Sequence, residues 1–158
     1  MKIGFIGLGI MGESMSENIV KKHDDEVYVF DFVQAKVDQL AALGAKPAAT
    51  SLELAQNVDI IISMVPKSEH SKAVYESILP ALNESKTCID MSTIEPSASV
   101  EISKMVKATG AKFIDAPVVK SKPAAIAGKL GIYVGGDVET YEAMKAALSR
   151  IEKRVSAD

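Results

Sequence analysis

Close to its first residue the chain reads KIGFIGLGIMGESMSENI, an apolar run that breaks into glycines at Gly7, Gly9 and Gly12 and then continues with helical spacing. Each glycine has a physical use at the end of a strand. The first permits a tight turn, the second lets backbone approach a ligand with no Cβ in the way, and the third allows the following helix to pack closely on the strand. The free N–H groups at the head of such a helix, with its dipole behind them, attract an anion. The segment therefore predicts strand, glycine turn and a helix to about Lys22. The amides of Leu8, Gly9, Ile10 and Met11 would face a diphosphate.

Short apolar runs alternate with helical periodicity along the rest of the chain, the pattern of βα units on a parallel sheet. EVYVF reads as the second strand. From residue 33 to 43, Val33, Val37, Leu40 and Ala41 fall on one helical face, and Gly44 follows where a left-handed cap would sit. Ser51 is expected to cap the short helix SLELAQN. DIIISMV is apolar on both faces, as a central strand requires. A helix from Ser68 to Leu82 with Pro80 near its end, the strand TCIDM, and a helix opened by Pro96 with Ala98, Ile102, Met105 and Val106 inward come next. KFIDAPV and LGIYVGG read as two further strands, and Asp137 caps a last amphipathic helix. The expected fold is α/β, a Rossmann-type doubly wound, mainly parallel sheet with helices on both faces. The 158 residues suit one domain.

Strand two ends in Asp31, 19 residues past Gly12, where a carboxylate would accept from a ribose 2′-hydroxyl. That carboxylate would repel a 2′-phosphate, so NAD is expected over NADP. Arg150 and Arg154 are the only arginines, which leaves none near strand two. A net charge of −3, spread along the chain, provides no basic stripe for nucleic acid, and no apolar run suits a bilayer. The single cysteine, Cys88, lies in an apolar run and points to a packed thiol in a reducing compartment, with a cytoplasmic location expected. His23 and His70 stand far apart with no ligand cluster, so no metal is expected.

Beyond the glycines, IGLGIMGESMSENI resembles the N-terminal signature of the 3-hydroxyisobutyrate dehydrogenase family, the β-hydroxyacid dehydrogenases. Leu8, Met11, Met15, Ser16 and Asn18 also match it, as do SMVP, IDMSTIEP and the region from DAPV through AGKL to VGG. The resemblance implies that Val65, Pro66 and His70 lie against the adenosine side of NAD and that Thr93 touches the nicotinamide ribose or substrate. His70 could equally be a surface residue, and Thr93 part of a helix entry.

Two departures bear on function. After DAPV the family usually has Ser-Gly-Gly for the substrate carboxylate, where this chain has Val119, Lys120 and Ser121. Small donors are lost and a cation is gained, which suits a substrate with an anionic head. Further, the family's general acid/base is a lysine followed by paired asparagines, and the last asparagine here is Asn83. The resemblance implies that this lysine lies beyond Asp158, with no catalytic residue in this chain. Residues 1–158 are thus expected to be the dinucleotide-binding domain only, with the all-helical substrate and oligomerisation domain absent. The complete protein would be an oxidoreductase transferring hydride between NAD and a short 3-hydroxy acid or semialdehyde, as a homo-oligomer. This chain alone would bind cofactor without turnover. A redox-silent dinucleotide-sensing module is the alternative. The decarboxylating relatives acting on 6-phosphogluconate form a third reading, weakened by the missing arginine.

Overall fold

The computed structural model describes residues 2–7, 26–65, 67–92, 94–115 and 135–136. In chain order these form β1 (Ile3–Ile6), β2 (Val27–Phe30), α1 (Gln34–Ala41), β3 (Lys46–Pro47), α2 (Ser51–Asn57), β4 (Ile60–Ser63) and α3 (Ser68–Ile78). A 3-10 turn (Leu79–Ala81), β5 (Thr87–Asp90), α4 (Pro96–Lys107), β6 (Lys112–Asp115) and β7 (Gly135–Gly136) follow. The expected helix after the glycines and the closing helix lie outside the described residues, as does most of LGIYVGG.

Among the described residues one sheet holds every strand, in the order β3-β2-β1-β4-β5-β6-β7. All neighbours are parallel except β6 and β7, which are antiparallel. The chain winds outward from β1 to β3, returns to the other side of β1 at β4, and winds outward again. This reversal leaves a crevice at the carboxyl ends of β1 and β4.

Continuous apolar strands follow from burial on both faces. Phe5, Val29, Ile62 and Ile89 are all fully buried. Ile6, Phe30, Ile61, Cys88 and Phe113 share the core under the helices with Leu54, Val74, Tyr75, Ile78, Ile102 and Val106. Gly4 is needed there for close approach, since an added Cβ would collide with the Leu54 side chain of α2. Among the described residues no helix is long and apolar enough to cross a membrane.

Most sequence expectations match these elements, with three corrections. Thr50 caps α2, its hydroxyl accepting the Glu53 N–H at 3.0 Å, while Ser51 is the buried first helical residue. The extended backbone needed at a cap falls one residue earlier than expected. Val33, assigned to the apolar face of α1, is instead its N-cap residue and 51% exposed, because that helix begins only at Gln34. The two-residue β3 was not expected. It is too short to show periodicity, and Pro47 is tolerated because the strand lies at a sheet edge.

Candidate functional site

Phe30, Ile6, Ser63, Asp90 and Asp115 are register partners, one row across the carboxyl ends of five parallel strands. The residues that follow them turn out of the sheet. Gly7 does so with φ +97, a conformation side-chain-bearing residues rarely adopt, and a Cβ placed on it would run into the Met64 carbonyl and crowd the Val65 side chain. Its N–H donates to the Phe30 carbonyl at 3.0 Å, which ties the glycine turn to the strand ending beside Asp31.

Asp31 is half-buried at the end of β2, and its Oδ1 accepts the Val33 N–H at 2.8 Å. This short turn holds the carboxylate in one orientation. Beside it lies a cavity of about 470 Å³ lined by Phe30, Phe32, Thr50, Leu52, His70, Val74 and neighbouring residues. Phe32 is 85% exposed and meets Phe30 edge to face, with ring centroids 5.4 Å apart. An aromatic ring left in solvent at the rim of an apolar cavity offers a surface for another flat ring.

The structure therefore brings together Gly7, Asp31, Val65 and His70 around the crevice and its cavity. Leu8, Gly9, Ile10, Met11, Gly12, Pro66, Thr93, Val119, Lys120 and Ser121 lie outside the described residues. So does Asp158, the position beyond which the family's lysine is expected. Phe32 and Thr50 were missed by sequence reasoning. Phe32 had one available signal, a large apolar residue directly after the acidic strand end, where a turn should be polar.

Cys88 is fully buried, and burial first, with the nearby Asp90 charge second, pushes its thiol up to about 12. At neutral pH its reactive thiolate is then about one part in 10⁴ or less. We expect a disulfide reagent to leave the native chain unlabelled over hours and to titrate one thiol per chain in denaturant. Rapid labelling of the folded chain would contradict this. Among the described residues no group of three or more His, Cys, Asp or Glu side chains is placed to hold a metal ion.

A parallel doubly wound sheet, a glycine turn at its switch point and an acid closing the next strand define a Rossmann-type dinucleotide-binding domain. The chain belongs to the family described as the NAD binding domain of 6-phosphogluconate dehydrogenase, which it matches over residues 2–157. It is 39% identical over 155 residues to mitochondrial 3-hydroxyisobutyrate dehydrogenase of Drosophila melanogaster, covering 98% of this chain and 48% of the relative. It is 37% identical over 144 residues to the NAD-dependent L-serine dehydrogenase of Pseudomonas aeruginosa, covering 89% and 48%. A solved structure of Mycobacterium tuberculosis 3-hydroxyisobutyrate dehydrogenase with L-serine superimposes with a TM-score of 0.90 at 31% identity, covering 95% of this chain and 51% of that one. The chain spans about half the length of the curated relatives it matches. The family's cofactor is NAD, and the described residues fit one: the absence of a Cβ at Gly7 lets the loop after β4 close against the glycine turn at the switch point, and a fixed carboxylate stands at the adjacent strand end.

Proposed function

We propose that this chain is the cofactor-binding half of an NAD-dependent 3-hydroxyacid dehydrogenase. Hydride chemistry comes from the nicotinamide when it is bound. The residues here bind and orient. The amides of Leu8, Gly9, Ile10 and Met11, with Gly7 and Gly12 shaping the turn, hold the diphosphate. Asp31 accepts from the adenosine ribose. Val65, Pro66 and His70 flank the adenosine, with Phe32 beside them, and Thr93 lies toward the nicotinamide ribose and substrate.

The observation that supports this most is the hydrogen bond from Gly7 N–H to the Phe30 carbonyl, which sets the glycine turn directly beside Asp31. A diphosphate is covalently joined to the adenosine ribose, so a ligand held at the turn carries its ribose toward the adjacent strand end. The turn and the acid can then engage one ligand together.

Residues 1–158 form the dinucleotide domain in this reading. An all-helical domain beyond Asp158 completes the substrate cleft, provides the general acid/base lysine and makes the oligomer. Lys120, in a segment where Val119, Lys120 and Ser121 replace Ser-Gly-Gly, binds an anionic head on a short 3-hydroxy acid. A reducing compartment, the cytoplasm, suits the single buried thiol.

Calorimetric titration of the 158-residue chain with NAD and NADP tests the cofactor half, and NAD is expected to bind more tightly. For the longer protein we expect NADH formation with C3 to C6 hydroxy acids, and a KM raised at least tenfold by Lys120→Ala with kcat little changed. An unchanged KM would remove Lys120 from the substrate site. Binding of NAD with no hydride transfer to any such acid would favour the sensing module.

A further inference from the structure

Directly behind the crevice lies a buried polar chain that cofactor contact alone does not require. Ser63 and Asp90, register partners at the last positions of β4 and β5, are both fully buried. The Ser63 hydroxyl donates to Asp90 Oδ1 at 3.1 Å, and the Tyr75 hydroxyl of α3 lies 2.5 Å from Ser63 Oγ. With the Ser63 proton directed at the carboxylate, Tyr75 must be the donor to Ser63. Tyr75 is itself held edge to face on Phe113, centroids 5.6 Å apart.

The same Oδ1 accepts the Ser92 N–H at 3.0 Å, and the Ser92 hydroxyl in turn accepts the Val65 N–H at 2.8 Å. That last bond joins the loop after β4 to the loop after β5. A second tie joins the same loops further out, where Glu95 N–H donates to Ser68 Oγ at 3.0 Å. In sequence the two ties bracket Pro66 on one loop and Thr93 on the other.

Apolar residues of similar volume commonly match or exceed the stability of such a buried charged network. Its use must then lie elsewhere, in fixing one geometry. We propose that Ser92 is a positioning residue: with Asp90 as its anchor and Ser68 as the outer tie, it sets the separation of the two loops, so that the bound dinucleotide meets both sides of the crevice at once. This rests on the reading of the crevice as the NAD site.

The test compares the 158-residue chain with Ser92→Ala, Ser92→Thr and Ser68→Ala, reading NAD dissociation constants by calorimetry, melting temperature, and hydrogen exchange at the Val65 amide. Ser92→Ala is expected to weaken NAD about fivefold, the size of one lost hydrogen bond, and to speed exchange at Val65. Ser92→Thr, which keeps the hydroxyl, should restore most of the affinity. Ser68→Ala, at a half-buried site, should weaken NAD by a smaller factor, and it serves if Ser92→Ala does not fold. A lower melting temperature with NAD affinity unchanged in the folded variants would make the ties merely structural and overturn the proposal. If the unsubstituted chain fails to bind NAD, the reading of the crevice fails, whereas binding that ignores both serine variants defeats only the positioning role.

Discussion

Gly7→Ala is expected to lower the stability of the chain by about 2–5 kcal/mol and to abolish measurable NAD binding. Two separate costs add. A side-chain-bearing residue at φ +97 is disfavoured by about 1–2 kcal/mol. The new methyl must also occupy the position of the Met64 carbonyl, and forcing extra volume into a packed site costs about 1–3 kcal/mol more. Relief would require the β4 loop, with Val65, to move out of the crevice. Gly44 supplies the control: its φ is +112, yet an added Cβ there meets nothing within 4 Å. Gly44→Ala should therefore show only the conformational cost. Urea unfolding of both variants separates the two contributions. Equal losses would mean that no collision with Met64 exists.

Asp31→Asn is expected to reduce the preference for NAD over NADP at least tenfold. Two like charges about 4 Å apart repel by about 1 kcal/mol in bulk water and by about 4 kcal/mol near a protein surface. A 2′-phosphate beside the Asp31 carboxylate faces that repulsion, and the amide removes it. Asparagine can still accept the Val33 N–H that fixes the turn, so local structure should survive. Asp31→Ala goes further, removing both the turn bond and the acceptor for the ribose. A hydrogen bond to a charged group is worth about 1.5–3 kcal/mol, so NAD should bind about 10 to 100 times more weakly. Dissociation constants for both nucleotides across the three proteins decide the matter. An unaltered NAD to NADP ratio in Asp31→Asn would place the ribose elsewhere.

Much of this was legible from local pattern. A strand buried on both faces writes itself as a short continuous apolar run and a helix as an apolar stripe at a period of 3.6, so β1, β2, β4, β5, β6 and the helices α1 to α4 could be read without partners. Gly7 and Asp31 were legible for a related reason: the glycine answers to its own backbone angle, and the acid is located by its spacing from the turn. Caps and edges were less clear. Whether Thr50 or Ser51 caps α2 depends on which residue's backbone is extended, and adjacent hydroxyl residues give no means of choosing.

The sequence by itself determined the βα alternation, the glycine turn at residue 7 and the acid closing β2, because each is set by interactions within a few residues. Only the tertiary structure decided the antiparallel edge at β7, the cavity beside Phe32, and the chain of hydrogen bonds from Tyr75 through Ser63, Asp90 and Ser92 to Val65. The ends of that last chain lie on different loops, and the Val65 to Ser92 bond spans 27 positions in sequence. Contacts of that kind exist only once the sheet has set β4 beside β5, and no local period records them.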